Sequence, residues 1–112
     1  MRTILRLLIL CAWLLLAVGC GIPVPPEKST YVGEWQEKSM VLIITADGSV
    51  RYERLKKGAT VSVTGPLKSF DGDGFSVGLG PFATKFTVNR PPYQQEGHWK
   101  MEVDGVVLTK TR

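Results

Sequence analysis

The stretch that decides the fold is residues 98–111, HWKMEVDGVVLTKT. Within it Trp99, Met101 and Val103 alternate with charged side chains, and this period of two is typical of a strand with one buried face. The Asp-Gly pair at 104–105 is typical of a tight turn between antiparallel strands. The apolar positions are therefore predicted to face a core, and the positions between them to face solvent: Lys100, Glu102 and Asp104.

The same apolar period of two runs through the chain from residue 31 onward, and no segment sustains a period of 3.6. A second hairpin is predicted where residues 47–48 join a strand over 40–45 to one over 49–56. The remaining short strands are predicted at 61–64, 75–79 and 82–88, the last with Phe82 and Phe86 facing inward. Glycine and proline predict the turns between them: Gly65 with Pro66, residues 71–74, Gly80 with Pro81, and Pro91 with Pro92.

These elements predict an all-β domain over residues 31–112. Because short strands in so small a chain must protect two sheet edges, we expect a small antiparallel, partly closed barrel or a curved sheet, of seven to eight short strands. A dimer that completes the sheet through a shared edge is the alternative.

The first 19 residues are typical of a signal peptide. Arg2 and Arg6 precede an apolar run of 12 residues at 7–18. A membrane-spanning helix needs about 20 such residues, so the run is too short for a comfortable permanent anchor. An uncleaved signal anchor is the alternative.

Residues 17–20, Ala-Val-Gly-Cys, resemble the lipobox of bacterial lipoproteins, in which small or aliphatic residues precede an obligatory cysteine. The resemblance implies that Cys20 carries a diacylglycerol on its sulfur and becomes the first residue after cleavage. Two or three acyl chains suffice for stable anchoring. In enteric bacteria an aspartate after the cysteine retains a lipoprotein at the inner membrane, and Gly21 stands there. The predicted location is thus the outer membrane, facing the periplasm, with the membrane itself as one partner.

Residues 20–30 are predicted to combine the lipidated cysteine with a proline-rich tether, because Pro23, Pro25 and Pro26 interrupt any periodicity. Extended proline-rich chain rises about 3.1 Å per residue, so this spacer would reach roughly 30 Å from the lipid. A binding site for a proline-recognising domain is the alternative.

Charge and cysteine content exclude several classes of protein. Removing Arg2 and Arg6 with the predicted signal peptide lowers the net charge from +4 to +2. This value is well below the positive charge that is typical of nucleic-acid-binding domains. Cys11 and Cys20 are the two cysteines, and Cys11 leaves with the leader, so the mature chain forms no internal disulfide. Ordinary burial of apolar side chains must then stabilise the domain.

Gly33, Glu34 and Trp35 resemble the glycine, any residue, tryptophan pattern that opens the first strand of lipocalins. The resemblance implies that Trp35 closes one barrel end beneath a basic residue of the final strand, either Lys110 or Arg112. Trp35, Trp99 and Phe86 are accordingly the candidate ligand-binding or barrel-closing residues. A chain this short favours a core filled by side chains, but a small apolar ligand pocket stays open as the alternative.

Other polar groups are interpreted as structural. Residues 71–74 carry alternate aspartates, but Phe75 and Phe82 stand where a calcium loop needs oxygen ligands, which indicates a turn. His98 is the one histidine and has no partner for a metal set. The basic run at 51–57 is interpreted as a charged strand face, with an acidic partner or anionic lipid as the alternative.

No serine lies in a recognisable nucleophile turn, and no phosphate-binding glycine motif occurs. We therefore predict that the protein is not an enzyme and uses no cofactor or metal. The predicted function is a membrane-anchored envelope lipoprotein that serves as an interaction or assembly module, with an envelope protein as its partner. The alternative is a lipocalin-like carrier of a small apolar ligand.

Overall fold

The computed structural model describes residues 21–112, which form one nine-stranded antiparallel sheet that curls into a half-barrel. The prediction of a small all-β domain is confirmed, with one or two strands more than expected. The strands are β1 Gly33–Glu37, β2 Met40–Ile44, β3 Ser49–Lys56, β4 Ala59–Asp71, β5 Gly74–Val77, β6 Thr84–Phe86, β7 Val88–Gln95, β8 His98–Val103 and β9 Val106–Lys110. Their order across the sheet is β6-β5-β4-β3-β2-β1-β9-β8-β7, so β6 and β7 are the two edges.

Both predicted hairpins are confirmed. In the C-terminal hairpin β8 pairs with β9, with Met101 opposite Leu108, and both side chains are fully buried. Asp104 and Gly105 both take positive φ, 48° and 81°, as the tight turn requires. In the other hairpin β2 pairs with β3, and Ile44 lies opposite Val50.

The concave face of the sheet is filled by its own side chains. Fifteen buried apolar residues from every strand and from the segment before β1 form one cluster. Trp99 is only partly buried and packs against the margin of this cluster. The cluster comprises Tyr31, Trp35, Met40, Leu42, Ile44, Val50, Tyr52, Leu67, Phe75, Val77, Phe86, Val88, Met101, Val103 and Leu108.

Gly65 and Pro66 do not form the predicted turn, because they lie inside β4, a strand of 13 residues. This strand changes partner at that point. It pairs with β3 as far as Pro66 and with β5 from Leu67, and an irregularity in register follows at 67–69. The glycine and the proline therefore mark a change of strand partner, which local sequence does not distinguish from a turn.

The prediction that Phe82 begins a strand and faces inward is wrong. Gly80–Phe82 is a short 3₁₀ helix, and the Phe82 side chain is 87% exposed. Gly80 has a φ of 54° and Pro81 cannot donate a hydrogen bond, so the chain turns here instead of extending. The predicted strand over 82–88 is split between β6 and β7, although Phe86 does face inward as expected.

Pro91 and Pro92 also differ from the prediction of a loop, since both lie within β7. Proline lacks the N–H that a central strand must donate, and it is tolerated at an edge. The register of β7 against β8 shifts between Val88 and Arg90 and again between Arg90 and Tyr93. Across the two prolines the Arg90 guanidinium lies 3.7 Å from the centroid of the Tyr93 ring.

The segment predicted to be an extended spacer is instead docked on the sheet. The Ile22 N–H donates to the Leu67 carbonyl at 3.0 Å, and the Val24 N–H donates to the Ala46 carbonyl at 3.0 Å. Beyond Pro66, strand β4 no longer pairs with β3, and Ile22 supplies a partner for its backbone there. The extended spacer predicted over residues 21–30 is therefore not what the structure shows for this segment.

A 3₁₀ helix at Pro26–Tyr31 completes this docking. The helix contacts the turn between β4 and β5, where the Lys28 ammonium donates to the Gly72 carbonyl at 2.9 Å. The Tyr31 hydroxyl donates to the Asp73 carbonyl, also at 2.9 Å. Burial, together with the negative charge of Asp73, raises the pKa of Tyr31 to about 12.

Candidate functional site

The start of β1 and the end of β9 close one end of the half-barrel around Trp35. The indole is fully buried, and its Nε1–H donates to the Tyr31 carbonyl at 2.9 Å. Two residues earlier, Gly33 has a φ of 147°, a backbone conformation that favours glycine. A Cβ at Gly33 would lie 2.4 Å from the Arg112 carbonyl oxygen and 2.6 Å from Lys110 Cε. Only glycine lets the last strand pass this closely.

Lys110 covers this end of the sheet. Its ammonium lies 5.1 Å from the centroid of the Trp35 ring and 5.8 Å from that of Trp99, both within the range of cation–π attraction. It also donates to the Thr30 carbonyl at 3.2 Å. Desolvation by burial lowers the pKa of Lys110 below its usual range.

The two basic candidates for covering Trp35 therefore have different positions. Lys110 lies above the ring, whereas Arg112 forms an exposed ion pair with Glu34 at 3.7 Å. Of the two basic residues considered, Lys110 is thus the one that covers Trp35.

Phe86 does not join Trp35 and Trp99. Its ring stacks on Phe75 at a centroid distance of 5.2 Å and contacts Tyr52 at 4.8 Å. All three predicted site residues thus contribute to packing: Trp35 and Phe86 lie within the core, and Trp99 lies at its margin. Trp35 and Phe86 thus pack inside the half-barrel, and Phe86 also lines an open groove beside Tyr52.

The acidic turn and the histidine occupy the positions that the sequence indicated. Residues 71–74 join β4 to β5, and the Asp73 carboxylate lies 3.9 Å from the Lys28 ammonium. His98 is exposed at the first position of β8. Within residues 21–112 no three histidine, cysteine, aspartate or glutamate side chains are grouped so that they could hold a metal ion.

The basic run at 51–57 divides between the two faces of β3. Arg51 forms an exposed ion pair with Glu53 at 3.0 Å, which accords with a charged strand face. Arg54 and Lys56 instead line an open groove with Tyr52, Val61 and Asp104. Val61 is 47% exposed, so the groove presents an apolar side chain beside two cations and one carboxylate.

A second surface feature lies on the loop between β5 and β6, and sequence reasoning missed it. Leu79 is 71% exposed and Phe82 is 87% exposed, while the nearby Ile22 is 43% exposed. The Lys68 ammonium donates to the Gly80 carbonyl of this loop at 3.2 Å. We call these four side chains, Ile22, Lys68, Leu79 and Phe82, the Phe82 patch. The sequence signal for this patch was the Gly80-Pro81 pair between Leu79 and Phe82, because a Gly-Pro pair places the two apolar residues beside it in a turn.

The predicted signal peptide and Cys20 lie outside residues 21–112, which the structure describes. In residues 21–112 no helix combines the length and the apolar character needed to cross a membrane. Comparison with protein-family models, with curated proteins and with solved structures finds no match to this chain.

Proposed function

We propose that the protein is a non-enzymatic lipoprotein of the bacterial cell envelope, anchored through acylated Cys20, whose β domain serves as an interaction or assembly module. The location that accords with Gly21 is the outer membrane, facing the periplasm. The observation that favours an interaction module over a ligand carrier is that side chains fill the interior of the half-barrel. Trp35 and Phe75 are fully buried, and Phe86 is 1% exposed, so these rings occupy the space that a ligand would need.

A module of this kind binds through its surface, and the groove on β3 and β4 is the face that suits an envelope protein. Arg54 and Lys56 supply positive charge there, and Val61 supplies an exposed apolar contact. Exposed apolar groups rimmed by charge are typical of interaction sites. The partner that fits this groove presents carboxylates beside an apolar side chain.

Replacing Cys20 tests the anchor. We expect Cys20→Ala to abolish acylation, because the lipid is attached to the cysteine sulfur, and either to leave the precursor uncut or to release a periplasmic form. Metabolic labelling with palmitate, followed by membrane fractionation, measures both outcomes. Cys11→Ala is the matched control and should label like the wild type. Equal labelling of the Cys20 variant, or loss of label in the Cys11 variant, would contradict the proposed anchor.

Photo-crosslinking in cells tests the module. A photoreactive residue at Val61, in the groove, should form an adduct with a protein partner, whereas the same residue at Ser62 should not, because adjacent strand residues face opposite sides of the sheet. Native mass spectrometry of the purified protein is the complementary measurement. A co-purified apolar small molecule without a position-specific adduct would favour the carrier instead.

A further inference from the structure

The chain enters the folded domain at a fixed place. A Cβ built on Gly21 would lie 2.6 Å from the backbone of Leu67 and 2.8 Å from the Gly48 carbonyl oxygen. The next residue, Ile22, donates its N–H to the Leu67 carbonyl. Gly21 is therefore held against the middle of β4, and Cys20 is the residue directly before it. The first described residue thus lies at this docking point, and Cys20 precedes it in the sequence by one peptide bond.

The Phe82 patch lies beside that point. At Leu67, strand β4 is flanked on one side by Ile22, which donates to the Leu67 carbonyl, and on the other side by Val77 of β5. Immediately after Val77, the Gly78 N–H donates to the Pro66 carbonyl at 2.8 Å, and the loop with Leu79 and Phe82 follows. Neighbouring strands are about 4.8 Å apart, so the loop begins about 10 Å from Ile22.

The chemistry of the patch suits the boundary between lipid headgroups and acyl chains. Phe82 and Leu79 are the two most exposed large apolar side chains among the described residues, and they project from one short turn. Aromatic and leucine side chains are those that interfacial segments bury at this depth. Lys68 supplies an ammonium beside them, while Asp47 on the neighbouring turn supplies an opposite charge. The contact is thus mainly apolar.

We propose that the Phe82 patch inserts into the surface of the bilayer that anchors the chain. The inference rests on the proposed acylation of Cys20, because the lipid on that residue brings this side of the domain to the membrane. The docked segment at 22–31 then orients the domain instead of spacing it away. In this orientation we expect Val107, which lies on β9 four strands from β4 and near the turn after β8, to face the aqueous side.

The test uses the acylated full chain, reconstituted into vesicles of phosphatidylethanolamine and phosphatidylglycerol. Phe82→Cys supplies a unique thiol, because Cys11 is removed with the leader and Cys20 carries the lipid. An environment-sensitive nitrobenzoxadiazole label on that thiol reports depth through quenching by nitroxides placed along the lipid chains. Val107→Cys, with the same label, is the matched control, since Val107 is also partly exposed at 42%.

We expect the label at position 82 to lie about 5 to 10 Å below the headgroup boundary, the usual depth of interfacial apolar side chains. The label at 107 should be quenched by a water-soluble quencher and not by the lipid nitroxides. A second variant, Phe82→Ser with Leu79→Ser, should retain the lipid and the fold. In vesicles, the amides of residues 78–83 in this variant should exchange hydrogen as fast as they do in the absence of lipid.

The two proposals fail in different ways. If the mass of the mature protein lacks the acyl chains, the anchor itself is refuted. If the acyl chains are present but the label at 82 remains in water, the bilayer contact is overturned while the anchor stands. A label at 82 that is shielded from water yet insensitive to lipid nitroxides would instead indicate a protein contact at the patch, and this too would overturn the inference.

Discussion

Glutamate in place of Met101 should unfold the domain. Met101 is fully buried opposite Leu108, and no charged or polar side chain is buried among the described residues. A carboxylate at this position would have no partner, and burying an unpaired charge costs more than a small domain can lose. Far-ultraviolet circular dichroism and a urea titration at neutral pH should show loss of the cooperative transition.

The pH dependence of that variant has a definite sign. Burial raises the folded-state pKa of the introduced carboxyl above its value of about 4.3 in the unfolded chain. The variant should therefore be most stable below that pH and lose stability as the pH rises towards neutrality. Glu102→Gln, one residue away on the other face, should change the free energy of unfolding by only about 0.5 kcal/mol. Similar effects of the two substitutions would contradict the register of β8.

Trp35→Ala should lower the free energy of unfolding by about 3 to 5 kcal/mol, the usual range for truncating a buried large aromatic side chain. The indole is fully buried, accepts the Lys110 ammonium on its face and donates to the Tyr31 carbonyl. Removing it leaves that carbonyl unpaired and opens a cavity under Lys110. Midpoints of denaturant unfolding, compared with those of the wild type, measure the loss.

Two control variants separate the contributions at this end of the sheet. Trp35→Phe keeps a ring beneath Lys110 but removes the Nε1–H donor, so its loss should be smaller than that of the alanine variant. Trp99→Ala removes a partly buried ring that Lys110 also covers, and it should cost less than Trp35→Ala. A loss below about 1 kcal/mol for Trp35→Ala would contradict its role in closing the barrel end.

The hairpins were predictable because residues close together in the sequence specify both the strands and the turn between them. In β8 each apolar residue alternates with a polar one, and the Asp-Gly pair supplies the positive φ values of the turn into β9. In the other hairpin β3 alternates in this way, whereas β2 is apolar at every position, 40–44. Where one face of a strand is buried, a shift by one residue would reverse every side chain, so the pattern specifies the register.

The misassigned segments depend on partners far away in sequence. Whether Gly65 and Pro66 turn or continue as a strand depends on which strands lie beside them, and no local pattern carries that choice. Pro91 and Pro92 are compatible with a strand only because β7 is an edge. The proline-rich segment before β1 resembled a free spacer, yet backbone hydrogen bonds to Leu67 and Ala46 hold it on the sheet.

The candidate site was predicted only in part, for the same reason. Pairing of β1 with β9 places Trp35 opposite Lys110, and the resemblance at Gly33 and Trp35 anticipated that contact. The Phe82 patch was not anticipated, because Phe82, Thr84 and Phe86 fall on one face of the predicted strand, alternating with polar residues at 85 and 87, which indicated burial of Phe82. Exposure of Phe82 follows from the turn at Gly80 and Pro81, which ends the alternation two residues before β6 begins.

The proline pair in β7 also affects contacts between copies of this domain when many of them are crowded on one membrane, as the proposed anchor implies. Molecules held on one membrane diffuse in two dimensions, and their sheet edges meet far more often than those of molecules dispersed in bulk water. An edge that lacks two successive N–H groups, and whose register is irregular before them and across them, offers a poor template for another strand. The opposite edge, β6, is only three residues long. Copies of this domain can thus collide repeatedly without joining edge to edge into fibres.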